Sequence, residues 1–221
     1  MSRQYKSLII NSPYKQPKQY WLEQHDRTLN LVNGRRPAGY EIFDARNNTK
    51  RVQSLDLVNT IRNRVDEWRA AGSPGVTSVT RRLLEHWQDP EVQRLHPFYF
   101  CQLEAIETLI WKVEATAEYR QGIAIPDDGG EWERLCNKMA TGTGKTLVMA
   151  MIVTWQVLNA VTYPKRNKDF SKAIFVVTPG LTVKDRLQVL RPGDDNNYYD
   201  AFSLCASESF RQKLNQAAIL I

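Results

Sequence analysis

The sequence predicts an α/β fold, in which a domain with a parallel sheet (residues 95–221) follows an extension of irregular and helical structure (residues 1–94). Residues 173–178 form a continuous apolar run, which is typical of a parallel strand covered on both faces. Residues 146–158 are apolar nearly all round, as expected of a helix buried against a sheet. A glycine-rich segment, residues 139–146, directly precedes this helix. The order of turn, helix and strand is that of an α/β unit.

The extension shows two kinds of pattern. Residues 11–50 are rich in Pro, Gly, Asn and Arg, which predicts irregular structure with short strands. Residues 54–71 have the spacing of an amphipathic helix, with Ser54 as its N-cap and Gly72 as its stop, and residues 78–87 predict a second helix. Aromatic and basic residues interleave in the irregular part. This pattern fits a nucleic-acid surface, but such aromatic side chains more often pack an extension against its domain. The residues are Tyr14, Lys15, Lys18, Tyr20, Trp21, Arg35, Arg36 and Tyr40.

The second part of the chain begins with a third, stronger helix, predicted over residues 98–119, so we place the domain boundary near residue 95. A polar loop over residues 121–130 leads to residues 133–139, whose alternation of polar and apolar side chains predicts a short strand entering the glycine-rich turn. Further along we expect helices over residues 181–190 and 208–216, and a last strand over residues 217–221.

Charge and cysteine content set the broad class. The formal charge of +6 permits a polyanionic partner without requiring one. Cys101, Cys136 and Cys205 are far apart and form no CxxC pair, and the three histidines have no ligand spacing, so we expect neither a disulfide framework nor a zinc site. The first residues have too short an apolar core for a signal peptide, and we expect a cytoplasmic protein without a membrane partner.

Residues 139–146, MATGTGKT, predict a phosphate-binding loop for a nucleoside triphosphate. The two glycines allow backbone amides to turn inward around an anion, Lys145 can reach the β- and γ-phosphates, and the hydroxyl of Thr146 can ligate Mg²⁺. We therefore assign Lys145 and Thr146 as catalytic residues, and Met139 takes the place of the usual first glycine. The residues expected to bind the nucleotide here are Thr141, Gly142, Thr143, Gly144, Lys145 and Thr146.

Three segments stand in the order used by superfamily 2 nucleic-acid motors. Residues 96–106, HPFYFCQLEAI, resemble the Q-motif region, residues 139–146 resemble helicase motif I, and residues 173–181 resemble motif Ia. Together they resemble the DEAD/DEAH-box helicase-like proteins, in particular the Res subunit of type III restriction enzymes. The resemblance covers mainly residues 95–185.

This resemblance implies a RecA-like domain that binds ATP and Mg²⁺. It implies that Gln102 hydrogen-bonds the adenine edge, for which an amide is suited because it both donates and accepts, and that Phe98 or Phe100 lies near the base. It further implies that Thr178 and Pro179 touch a nucleic-acid backbone. The implied function is ATP-dependent tracking along or unwinding of double-stranded DNA within a restriction system, with a methyltransferase subunit as a further partner.

Motors of this class also need an acidic Asp-Glu box and an arginine finger, the latter worth about 10³ to 10⁵ in rate. The acidic pair after the loop, Asp194 and Asp195, lies in a turn instead of after an apolar strand. We therefore expect an incomplete RecA-like domain that turns over poorly by itself. Two alternatives stay open: a non-catalytic DNA- or partner-binding module with a vestigial loop, and a small-molecule kinase, which leaves the Gln102 segment and Thr178-Pro179 unexplained.

Overall fold

The computed structural model describes residues 7–24, 26–46, 49–126, 129–131 and 133–221. Its N-terminal part contains two antiparallel hairpins. Strand β1 (Gln19–Glu23) pairs with β2 (Leu29–Asn33), and β3 (Gly39–Asp44) pairs with β4 (Thr49–Ser54). Strands β1, β2 and β3 are short strands of the kind expected within residues 11–50, whereas β4 extends beyond that range to Ser54. Isolated two-stranded hairpins are marginal, so the extension depends on its contacts with the helices.

Two helices follow the hairpins, α1 (Asp56–Ala70) and α2 (Ser78–Gln88). The predicted cap of α1 was wrong: Ser54 ends β4, and Leu55 occupies the cap position without a side-chain hydrogen bond. Pairing with β3 extends the chain through Ser54, so its hydroxyl does not reach the orphan amides of α1. Helix α2 is capped by Thr77, whose side chain accepts from the amide of Thr80.

The predicted helix over residues 98–119 is two helices, α3 (Phe100–Glu114) and α4 (Ala117–Arg120). Ala115 breaks it with an extended conformation (φ −59°, ψ 147°). At this break the chain comes close to Gly75, where a Cβ atom would lie 2.8 Å from the amide nitrogen of Thr116. Close packing against the α1–α2 connection therefore ends α3, a tertiary effect that helical periodicity does not report.

Helix α5 (Lys145–Thr162) lies at the centre of the fold, where it packs against α2, α3 and the later helix α8 (Glu208–Leu214). In the described part of the chain it is the one helix long and apolar enough to cross a membrane, and 56% of it is buried inside the protein. Burial against other helices is how a core helix comes to be apolar nearly all round.

The parallel pairing has two strands, β5 (Ala173–Phe175) and β6 (Ala218–Leu220), with Ile174 opposite Ile219. Between them lie α6 (Leu181–Arg186), a 3₁₀ turn (Leu187–Leu190), α7 (Tyr198–Ala201) and α8. The helix predicted over residues 181–190 is thus α-helical in its first part and a 3₁₀ turn in its second.

The strand predicted over residues 133–139 is wrong. These residues, all of which the structure describes, form no strand, and residues 133–138 are exposed. Glu133 is attached to α3 through a 2.8 Å ion pair with Lys112, a side-chain contact and not a backbone ladder. Alternation alone does not make a strand when no neighbouring edge pairs with it.

One hydrophobic core runs through α1, α2, α3, α5 and α8, so it includes both sides of the boundary predicted near residue 95. The buried carboxylate of Glu114 connects three of these helices. It accepts from the amide of Thr77, the hydroxyl of Thr80 and the indole of Trp155, each at 2.7 Å. The domain division itself stays a prediction.

Candidate functional site

The glycine-rich turn places its two glycines in the left-handed region. Gly142 has φ +81° and Gly144 has φ +79°, a conformation that other residues adopt at a cost of about 1–2 kcal/mol. Gly144 is also the N-cap of α5, and its carbonyl accepts from the amides of Leu147 and Val148. The sequence thus forms the turn because glycine stands at both positions that require it.

The backbone amides of this turn are unpaired within the part of the chain that the structure describes. Among the described residues, no hydrogen bond is donated by the backbone N–H groups of residues 141–146. They stand where α5 begins, and the start of a helix carries a partial positive charge together with unpaired amides. This combination is suited to an anion, and the nucleotide site expected from the sequence stays a prediction.

Lys145 folds back over the turn. Its ammonium group donates to the carbonyl of Ala140 at 2.8 Å, and the hydroxyl of Thr143 donates to the same carbonyl at 2.7 Å. Lys145 is exposed, so a neighbouring anion can compete with the carbonyl of Ala140 for its ammonium group. Thr146 is half-buried, and its hydroxyl makes no hydrogen bond within the described part of the chain.

Gln102 lies against the turn although 41 positions along the chain separate it from Thr143. It is buried, with 4% of its surface exposed. Its amide oxygen accepts from the amide of Tyr99 at 2.9 Å, and its amide nitrogen donates to the carbonyl of Thr143 at 2.9 Å. A Cβ atom at Gly144 would overlap that nitrogen. The structure therefore joins the start of α3 to the turn through Gln102.

The aromatic residues around Gln102 differ in exposure. Phe98 is buried at 5% exposure, with the guanidinium of Arg94 4.7 Å from its ring. Phe100 is half-buried beneath the guanidinium of Arg35, 5.5 Å from the ring centre. Tyr99 keeps an exposed ring, 5.5 Å from that of Tyr14. Phe98 therefore presents no open face, whereas Phe100 keeps part of its surface exposed.

Sequence reasoning missed Tyr99 and the segment that docks on it. The amide of Phe100 donates to the carbonyl of Pro13 at 2.8 Å, next to the Tyr14–Tyr99 ring pair. The extension thus contacts the first turn of α3, the same turn that contains Gln102. The aromatic run 98–100 was the available indication, but it does not distinguish the buried rings from the exposed one.

Thr178 and Pro179 follow β5 at its carboxyl end. Thr178 is half-buried, and its hydroxyl donates to the carbonyl of Gly180 at 3.3 Å, a long hydrogen bond. Pro179 is exposed. Within the described ranges no hydrogen bond joins either residue to the glycine-rich turn.

Two further groups near α3 are structural in character. Burial raises the pKa of Glu107, and the ion pair with Arg69, 2.8 Å from carboxylate oxygen to Nε, opposes this change. Burial likewise raises the pKa of the Cys101 thiol, which makes it a poor nucleophile at neutral pH. Across the described residues no group of three or more His, Cys, Asp or Glu side chains could hold a metal ion.

Comparison with known proteins places this geometry in a family. Residues 96–216 match the family model described as type III restriction enzyme, res subunit, which includes α3, the glycine-rich turn and α5. A search of curated proteins and a search of solved structures found no match. The family domain is RecA-like, is related to helicase superfamily 2 and has a helicase-like, ATP-dependent function at the family level. Because the match spans more than half of the 221 residues, the chain belongs to the family of type III restriction enzyme Res subunits.

Proposed function

We propose that this chain is the ATP-binding part of a translocase or helicase that couples ATP hydrolysis to tracking along or unwinding double-stranded DNA. The observation that carries the proposal is the turn at the start of α5, with left-handed Gly142 and Gly144 and with amides over residues 141–146 that donate to none of the described residues. Membership of the Res-subunit family supports the ATP-dependent, helicase-like class.

The turn has the residues that a nucleotide phosphate requires. Its backbone amides would donate to the phosphate oxygens, and the ammonium group of Lys145 would leave the carbonyl of Ala140 to bind a phosphate. Gly144 keeps this space clear, since a side chain there would displace Gln102. The hydroxyl of Thr146, which bonds to none of the described residues, would stand beside the phosphates and would ligate Mg²⁺. Bound Mg·ATP would supply the phosphoanhydride bond whose cleavage drives the motor.

Selectivity for adenine would come from Gln102. Its amide nitrogen holds the carbonyl of Thr143 and its oxygen holds the amide of Tyr99, but an amide has four hydrogen-bonding positions. One donor and one acceptor position therefore remain, and because only 4% of Gln102 is exposed, a base would reach them only after the turn or Tyr99 shifts. Phe98 would contact the base only after a shift of Arg94, since its ring is buried under that guanidinium.

The nucleic-acid track would contact Thr178 and Pro179, which stand at the carboxyl end of a parallel strand, where α/β proteins place their ligands. The family supports a nucleic-acid partner. A cytoplasmic location and assembly with a methyltransferase subunit belong to the same proposal.

The test is a titration of Mg²⁺ and a fluorescent ATP analogue against the wild-type chain and Lys145→Ala. We expect affinity to fall about 10- to 100-fold, because each hydrogen bond to a charged group contributes about 1.5–3 kcal/mol. Lys138→Ala is the matched control, as Lys138 is an exposed lysine just before the turn, and it should bind normally. Unchanged affinity in Lys145→Ala would overturn the assignment, and DNA binding that ignores nucleotide would favour a binding module.

A further inference from the structure

A cavity of about 560 Å³ lies in the N-terminal extension, outside residues 96–216. Its walls are the segment before β1, strand β1 itself, the loop after β2 and one face of α1. The lining contains three arginines and no carboxylate. The lining residues are Leu8, Ile9, Ile10, Asn11, Pro17, Gln19, Tyr20, Trp21, Arg35, Arg36 and Arg62.

The wall before β1 is fixed by specific hydrogen bonds. The side-chain amide of Asn11 donates to the carbonyl of Gln19 at 2.8 Å and accepts from the amide of Lys18 at 3.1 Å. The indole of Trp21 donates to the carbonyl of Leu8 at 2.9 Å. These bonds shape the cavity and hold its aromatic side in place.

Two of the three arginines have a carboxylate nearby. Arg35 is neutralised by Glu104, with 2.6 Å between Nη2 and Oε2, and this pair docks the extension onto α3. Arg36 stands 3.7 Å from Glu41, beyond hydrogen-bonding distance, and 63% of its side chain is exposed. Such an exposed pair holds its partners weakly, so Arg36 is free to take an anion.

Arg62 has no hydrogen bond or ion pair among the described residues. It is half-buried on α1, and burial, followed by the charge of Arg35, lowers its pKa. A half-buried guanidinium beside a second one is stabilised by an added negative charge. The charges of Glu104 and Asp66 partly oppose the lowering, and since the described lining residues add no carboxylate, an anion from solvent or a ligand would stabilise Arg62 further.

We propose that this cavity binds the phosphate groups of a nucleic-acid strand through Arg36 and Arg62. Guanidinium groups match phosphate geometry with two parallel hydrogen bonds. Tyr20 and Trp21 are consecutive residues of β1 whose side chains point to opposite faces, so one of the two rings supplies aromatic surface of the kind on which bases stack. That the ligand is a nucleic acid rests on the proposed function, but the place where it binds does not. The bound nucleic acid would contact the extension as well as the RecA-like part.

The test is fluorescence anisotropy with a labelled oligothymidylate, which cannot pair with itself, over a series of salt concentrations. Arg62→Ala and Arg36→Ala should each weaken binding about tenfold and reduce the salt slope by about 1. Arg64→Ala is the matched control, since Arg64 is two positions away on α1, pairs with Glu67 and does not line the cavity. Its affinity and slope should equal those of the wild type.

The Mg·nucleotide titration on the same variants separates the two proposals. We expect Arg62→Ala and Arg36→Ala to keep wild-type nucleotide affinity. If the wild type does not bind the oligonucleotide, or if Arg62→Ala and Arg64→Ala bind it equally well, the cavity proposal is overturned. The proposed nucleotide site is unaffected by either result. Displacement of the oligonucleotide by low concentrations of inorganic phosphate would also overturn it, because the cavity would then hold a small anion.

Discussion

Replacing Gly144 by alanine should test how the nucleotide loop is held. At φ +79° a Cβ atom costs about 1–2 kcal/mol. The new methyl group would also overlap the amide nitrogen of Gln102, breaking its hydrogen bond to the carbonyl of Thr143, worth about 1 kcal/mol. We expect Gly144→Ala to lower the free energy of unfolding by about 2–3 kcal/mol.

Gly142→Ala is the matched control. Its φ is +81°, but no atom lies within 4 Å of a Cβ atom there, so it should cost only the backbone strain of about 1–2 kcal/mol. In the double variant Gln102→Ala/Gly144→Ala the overlap is gone, so its loss should be about 1 kcal/mol smaller than the sum of the single losses. Urea unfolding of the wild type, Gly142→Ala, Gly144→Ala, Gln102→Ala and the double variant measures the five free energies of unfolding. Equal losses for Gly142→Ala and Gly144→Ala, together with additivity in the double variant, would refute this account of the loop.

Two further predictions concern the supporting fold. Glu114→Ala leaves three donors without an acceptor and should lower the free energy of unfolding by about 3 kcal/mol. Glu114→Gln should lose less stability because its amide oxygen still accepts, and equal losses of the two variants in urea unfolding would contradict this. Burial, assisted by the charge of Arg94, lowers the pKa of His86 below its unfolded value. Stability from His86 should thus be complete above about pH 6.5 and decline as pH falls toward the lower folded pKa. Below about pH 6.5, His86→Gln should flatten the dependence of the unfolding free energy on pH. An unchanged slope would contradict a lowered pKa of His86.

The sequence was sufficient where local pattern and local structure coincide. Helices α2 and α5 have apolar faces strong enough to be recognised, and the left-handed positions of the turn carry the glycines that they require. Family membership was also predictable, because the segments around Gln102, Lys145 and Thr178 all lie within the matched residues.

What escaped prediction depends on contacts between distant segments. Pro13 reaches the first turn of α3 across more than 80 residues, and no local pattern reports that contact. Gln102 was assigned to adenine by resemblance, but its bond to Thr143 depends on how α3 and the turn pack. Residues 133–139 alternate like a strand but find no partner edge, so the pattern alone was misleading.

The most direct test of ATP binding follows the backbone amides by NMR while Mg·ATP is added. The account predicts that the largest chemical-shift changes fall on the amides of residues 141–146, which have no partner inside the described protein, and that Lys145→Ala suppresses them. Shift changes that leave these six amides unmoved at saturating nucleotide, or that persist in Lys145→Ala, would contradict the assignment of this turn as the nucleotide site.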